Sequence, residues 1–311
     1  MNKPAKLNPN VFVSLQDLLK MESLAKGFSF LSRKQKVKSI LGGKHASKLR
    51  GRGLDFEEVR NYVAGDDIRN IDWKVTARTR KTHTKVFSEE KEKPALIIVD
   101  QSKSMFFGSQ KKTKSVVAAE LAALAAFRVL KEGDRVGGIV FSDEGIDVVF
   151  PKRDRKNILR FLETIVTRNN KLHETKPVSF DTALAEVFAK IRNIISHDFL
   201  IFIISDFHRY APEVVKHIAY MSRHNDVILA KVYDPMEKYI PKVNLITSNE
   251  DSQLKLDGKN KKIRDRFETG FDADYEKFEN QMKKYRVPIL KLNTITDIDI
   301  QIKEILIKPR K

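Results

Sequence analysis

PALIIVDQSKSM, residues 94–105, decides the fold. Its apolar run, Ala95 to Val99, is short and unbroken. That is the pattern of a parallel strand covered on both faces, not of a strand with one side in water. An acid and two hydroxyls then alternate as Asp100, Ser102 and Ser104. If the chain curls after the strand, three hard oxygen donors converge. Oxygen donors so arranged suit Mg²⁺ or Mn²⁺ rather than zinc.

Downstream the chain alternates regularly. Helical patterns cover 113–131 (closed by Gly133), 155–166, 182–195, 211–223, 275–285 and 297–307. Strand patterns cover 134–143, 145–151, 199–207, 226–234 and 287–294, of which FLIFIISDF (199–207) is the most apolar. Alternation of this kind predicts an α/β fold, a doubly wound and mostly parallel sheet with helices on both faces. The polar stretch 243–270, rich in Lys, Asp and Asn, reads as an insertion between two such units. The division expected is an N-terminal extension, 1–92, followed by the α/β domain, 93–311.

Upstream, SLQDLLKMESLAK (14–26) has helical spacing, with Ser14 as N-cap and Gly27 as stop. Between Phe30 and Leu54 lie eight Lys/Arg residues and no acid, a basic arm. Gly65-Asp66-Asp67 marks a turn, THTKVF (82–87) alternates like a strand, and the single tryptophan is Trp73. This segment reads first as a turn locked by charge pairs over a buried indole. Its second reading is a docking surface made by Asp66, Asp67, Arg69 and Trp73.

The 311 residues include 59 Lys+Arg and 41 Asp+Glu, for a formal charge of +18. The charge alone admits a basic surface protein that binds nucleic acid or anionic membrane lipid. With no cysteine, disulfides, thiolate zinc sites and cysteine nucleophiles are excluded. The N-terminus lacks the apolar core of a signal peptide, and no apolar run approaches the ~20 residues of a membrane span. The expectation is a cytoplasmic protein. No Ser-His-Asp set, phosphate-cradling loop or nucleotide fingerprint is visible, and His83 and His208 lack metal-type spacing.

In doubly wound sheets ligands bind beyond the carboxyl ends of the strands, where the strand order switches. The strand after 199 ends in Ser205-Asp206, and SFDTALAEVF (179–188) opens a helix with Thr182. If the two strands are central neighbours, Asp100, Ser102, Ser104, Thr182 and Asp206 meet at one point. Ser179 is a rival to Thr182.

D-x-S-x-S after an apolar strand, a helix-opening Thr and a second strand ending in Asp resemble the metal-ion-dependent adhesion site of von Willebrand factor A domains. The resemblance implies a Rossmann-like fold and hydroxyl ligands from Ser102, Ser104 and Thr182. It implies that Asp100 and Asp206 ligate directly or through water. A haloacid-dehalogenase phosphatase also starts from a strand-end Asp, but needs a second Asp where this chain has Ser102. The stretch GRGLDFEEVRNYVAGDDIRNIDWKVTARTRK (51–81), with GDRVGGIVFSD and YDPMEKYIP, resembles a bacterial family known as domain of unknown function fifty-eight. That resemblance covers roughly residues 40–240. It implies partnership with a MoxR-type AAA ATPase and work on the maturation or assembly of other proteins. The expected function is a non-enzymatic adaptor that holds Mg²⁺ (or Mn²⁺) and grips an acidic residue of a client protein.

Overall fold

The computed structural model describes residues 8–25, 54–89, 94–175, 190–191, 193–195, 197–207, 212–249 and 252–307. The chain divides into two compact units, one formed by residues 1–33 with 93–311 and the other by 34–92.

The smaller unit is built on two antiparallel strands, β1 (Leu54–Asn61) and β2 (His83–Glu89), with a bulge between Phe56 and Glu58. Between them runs a turn at Gly65, whose φ of +106° is open to glycine at little cost. A 3₁₀ turn (Ile68–Asn70) and the short helix α1 (Trp73–Thr79) follow. Asp72 caps that helix by accepting from the Lys74 and Val75 amides. The basic arm lies outside the described residues, apart from Leu54.

The larger unit is a six-stranded sheet. In chain order its strands are β3 (Ala95–Asp100), β4 (Val136–Ser142), β5 (Gly145–Lys152), β6 (Leu200–Ser205), β7 (Asp226–Tyr233) and β10 (Ile289–Asn293). Their spatial order is β10-β7-β6-β3-β4-β5. All neighbours are parallel except the edge pair β4–β5. The chain leaves β3 on one side, to β4 and β5, and returns on the other to β6. The switch in strand order therefore falls between β3 and β6, the two strands that end in Asp100 and Ser205-Asp206.

β3 feeds two cores at once. Ala95, Ile97 and Val99 join one apolar cluster, while Leu96 and Ile98 join the other. This period of two with both faces buried is what the unbroken apolar run requires. On the first face lie the N-terminal helix αN (Leu15–Leu24), α2 (Lys114–Lys131), α3 (Arg155–Lys171) and α6 (Ile298–Ile307). On the second lie α4 (Pro212–Met221), α5 (Lys261–Lys284) and Ile191. The fold is the doubly wound, mostly parallel α/β architecture that the alternation implies.

Three expectations are revised. The helix αN belongs with the α/β unit and not with the extension: Val13, Leu18, Met21 and Ala25 are buried in its first core. Burying Val13, Leu18 and Met21 stabilises by roughly 1.5–3 kcal/mol each. The 243–270 stretch is only half an insertion. A hairpin of β8 (Asn244–Asn249) and β9 (Ser252–Asp257) occupies it, and then α5 begins at Lys261, capped by Asn260. The helix expected over 275–285 is thus the second half of a 24-residue helix. Finally, Trp73 is not a buried indole; it is 69% exposed. Among the described residues no helix is long and apolar enough to cross a membrane.

Two glycines define opposite limits of tolerance. A Cβ at Gly138, on β4, would lie 2.1 Å from the Phe161 ring of α3, so the helix can sit on the strand only where no side chain intervenes. Gly270, inside α5, would meet nothing within 4 Å. Gly138→Ala should cost about 1–3 kcal/mol through overpacking. Gly270→Ala should add up to about 1 kcal/mol through helix propensity. Urea unfolding of the two variants should move the midpoint in opposite directions.

Candidate metal and docking site

The loop after β3 curls because Asp100 makes it curl. Gln101 N–H still donates to the Phe141 carbonyl of β4 (2.8 Å), so pairing continues one residue past the strand. Ser102 N–H then turns back and donates to Asp100 Oδ1 (2.9 Å). The Met105 amide closes a 3₁₀ turn on the Ser102 carbonyl (2.9 Å), and Met105 is fully buried beneath it. This places the Ser102 and Ser104 hydroxyl oxygens 3.2 Å apart. Lys103 N–H donates to Asp143 Oδ2 (2.6 Å), which fastens the loop to the β4–β5 turn.

The neighbouring strand completes the cluster. Ser205 Oγ donates to Asp100 Oδ2 (2.6 Å) and accepts from the Phe207 amide (3.2 Å). Asp206 comes next, and Phe207 is in the left-handed region with φ +51°. Such a backbone is costly for a bulky residue and persists only when its surroundings hold it. Here the ring is buried and stacks on Phe278 at 5.8 Å. The structure therefore brings Asp100, Ser102, Ser104 and Asp206 to the same sheet edge. Thr182 and its rival Ser179 lie outside the described residues.

The edge also holds residues that the sequence analysis did not single out. Lys114, the first residue of α2, is 2% exposed in its side chain, and its Nζ donates to Asp206 Oδ2 (2.7 Å) and to Glu237 Oε1. Glu237 belongs to a 3₁₀ turn, Pro235–Glu237, and forms a capping box with Asp234. Asp234 is itself fully buried and accepts from Ser109 N–H (2.8 Å) and Thr294 Oγ (2.5 Å). A buried amide relay braces the other side of the loop. Val13 N–H donates to Asn169 Oδ1 (2.9 Å), Asn169 Nδ2 to Gln101 Oε1 (3.0 Å), and Gln101 Nε2 to the Ser115 carbonyl (3.1 Å).

Two of these features were signalled. A lysine in the first turn of an apolar helix opposes the helix dipole, which marks Lys114 as held by something else. D-P-x-E over residues 234–237 is a capping-box spacing.

The electrostatics follow from burial. Asp100 is fully buried, and burial, reinforced by the charge of Asp206, raises its carboxyl to about 7 against the hydrogen bonds from Ser102 and Ser205. Burial opposes the charge of Lys114, but Asp206 and Glu237 outweigh it and hold the ammonium above the ordinary lysine range. For Asp234 burial is likewise outweighed, by its hydrogen bonds from Ser109, Thr294 and Met236, and its pKa is lowered.

The donor chemistry fits a hard divalent cation: two carboxylates and two close hydroxyls, all oxygen, at a strand-end loop. No cluster of three or more His, Cys, Asp or Glu side chains with metal-holding geometry exists among the described residues, so any ion here depends on the serine hydroxyls. One group departs from the expected pattern, the ammonium of Lys114 on Asp206.

The expected docking segment has mostly structural work to do. Arg60 grips Asp66 through two hydrogen bonds, of 2.7 and 2.8 Å, and Asp66 also accepts from Val63 N–H. Asp67 caps the 3₁₀ turn through the Arg69 amide. Arg69 and Trp73 are exposed. So the charge-locked turn is present, while the indole stands in solvent.

The raised carboxyl of Asp100 has a thermodynamic consequence. Between the ordinary aspartate value near ~3.9 and about 7, the folded protein keeps a proton that the unfolded chain has lost. Without metal, that contribution to stability falls as pH rises through this window and is flat above it. In EDTA, urea unfolding at pH 5 and pH 7.5 should show Asp100→Asn gaining on the parent protein as pH rises. An unchanged difference would mean that Asp100 ionises normally.

The chain is 27% identical over 269 residues to an uncharacterized protein of Mycobacterium tuberculosis (strain ATCC 25618 / H37Rv), covering 86% of this chain and 83% of that one. An uncharacterized protein of Mycobacterium bovis matches to the same extent. Among solved structures it is similar to the conserved hypothetical protein BatB from Bacteroides thetaiotaomicron, at 17% identity, 68% of this chain, 94% of that chain and a TM-score of 0.44. A von Willebrand factor type A structure from Catenulispora acidiphila aligns over 51% of this chain and 36% of that one, at 17% identity and a TM-score of 0.31. An aerotolerance-related membrane protein from Bacteroides fragilis aligns over 68% of this chain and 95% of that one, at 16% identity and a TM-score of 0.41. The family model described as "Protein of unknown function DUF58" matches residues 58–277, and the chain belongs to that family.

Proposed function

We propose that this protein is a non-enzymatic, cytoplasmic adaptor that docks on acidic groups of other proteins through a divalent cation at the carboxyl edge of its sheet. One observation carries the reading: Asp100, Ser102, Ser104 and Asp206 are gathered from two adjacent central strands at the switch in strand order. Those four residues, with Thr182 from outside the described region, would hold Mg²⁺ or Mn²⁺. When bound, the ion supplies a hard positive centre that a partner's Asp or Glu can ligate.

The chain's own residues do the rest. Ser205 and the Ser102 amide fix the orientation of Asp100, and the Lys114 ammonium holds Asp206. Both Asp100 oxygens already accept hydrogen bonds, which fixes the orientation in which this carboxyl would meet an ion. The partner class consistent with the family resemblance is a MoxR-type AAA ATPase, with a client protein supplying the acidic residue. The charge of +18 favours acidic partners in general and would speed encounter with them.

Binding of a MoxR-type ATPase from the same organism should require Mg²⁺ and weaken at least ~10-fold in EDTA, about 1.4 kcal/mol. Ser102→Ala with Ser104→Ala should reproduce the EDTA result while thermal unfolding stays cooperative. Equal affinity in Mg²⁺, in EDTA and in the double variant would reject the model. Binding that ignores EDTA but falls steeply with salt would instead identify a polyanion-binding surface.

A further inference from the structure

We propose that Lys114 is a resident counter-ion of this edge: it holds Asp206 while no metal is bound and passes to Glu237 when a divalent cation takes Asp206. The inference rests on the metal reading above and concerns what that reading leaves unexplained. A lysine side chain that is 2% exposed has left water at considerable cost, and it stays charged only against good partners. Its partners are Asp206, at 2.7 Å, and Glu237. One of them is a candidate metal ligand; the other is not.

Geometry makes the exchange feasible without rebuilding the fold. Lys114 is anchored at the start of α2, where its backbone N–H donates to the Phe107 carbonyl (2.8 Å). Its ammonium lies 5.9 Å from the centre of the Phe107 ring, a second favourable contact that does not involve Asp206. Glu237 is fixed independently of the lysine, because its other oxygen accepts from the Asp234 amide (3.0 Å). Asp234 in turn is held by Ser109 and Thr294. The fallback acceptor is therefore preformed. Lys231 lies nearby, its ammonium 5.3 Å from the Phe271 and Tyr275 ring centres; burial holds it below the ordinary lysine range, against the pull of Asp206 and Glu237. Asp100 and Asp206 would attract a dication at this edge, and the ammonium of Lys114 on Asp206 would oppose it. The site so built binds metal weakly by itself, and a carboxylate brought by a partner tips the balance.

The test is Mn²⁺ titration of the full chain, with free Mn²⁺ followed by its electron paramagnetic resonance signal, alongside thermal melting in EDTA. Lys114→Met should bind Mn²⁺ at least ~10-fold more tightly than the parent protein, because a like charge beside the ligand set is gone. It should also melt at a lower temperature in EDTA and recover when Mn²⁺ is added. Glu237→Gln should bind Mn²⁺ at least ~10-fold more weakly, since the displaced ammonium loses its second partner. Asp100→Ala should remove Mn²⁺ binding in every background. If Lys114→Met does not fold, Lys114→Gln keeps N–H donors for both carboxylates and carries the same comparison. Parent-like Mn²⁺ affinity in both Lys114 variants, with Asp100→Ala still abolishing binding, overturns the counter-ion role and leaves the metal site standing. Glu237→Gln binding as tightly as the parent protein overturns the hand-over. No Mn²⁺ bound by any variant overturns both the counter-ion and the metal reading.

Discussion

Carboxyl groups kept out of water govern the carboxyl edge of this protein. Asp100 and Asp234 are fully buried and Asp206 is 3% exposed, and each must find its compensation inside the molecule. A buried carboxylate without partners costs several kcal/mol. Much of the local architecture can be understood as the answer. The curl after β3 brings an amide to Asp100, Ser205 brings a hydroxyl, the Asp234 turn brings Ser109 and Thr294 together, and Lys114 reaches across from α2. The two apolar cores support the sheet from either side, but the polar layer sets where the strand-end loops can go.

The same layer explains why the edge suits binding. The groups there are held by backbone amides and short side chains from strands and helix starts, not by long surface loops. A set of oxygens fixed in this way loses little conformational entropy when it takes a ligand, which is where positioned sites gain affinity. The burial that fixes them also keeps Asp100 from ionising freely, so charge and position are in tension at the same residue.

Much of this was legible in the sequence. The unbroken run 95–99 announced a strand with two dry faces, and the alternation after it announced the sheet. Asp100, Ser102, Ser104 and Asp206 could be placed together because strand ends in such sheets converge at a known place. What escaped depended on partners far away in the chain. Lys114 shows in the sequence only as an unfavourable charge at a helix start; its partners, Asp206 and Glu237, lie 92 and 123 residues on. The spacing around Trp73 suggests a buried indole, yet the side chain is 69% exposed. The helix αN was grouped with its sequence neighbours, whereas the apolar stripe of Leu18 and Met21 packs into the core of the larger unit. Spacing reveals an apolar stripe but not which surface it will cover.

That last placement makes the larger unit discontinuous in sequence. Residues 8–25 complete a body whose sheet begins only at Ala95, and in sequence the smaller unit's residues come between them. During synthesis, αN must wait for α2 and α3 before its apolar side has anywhere to go. The smaller unit, once made, is joined to the larger one by two chain crossings instead of one. A single backbone cut in either crossing would therefore not separate the pieces: the severed αN would remain held by Leu18, Met21 and the Val13–Asn169 hydrogen bond. Nicked protein would migrate as two fragments in denaturant and as one particle in native buffer.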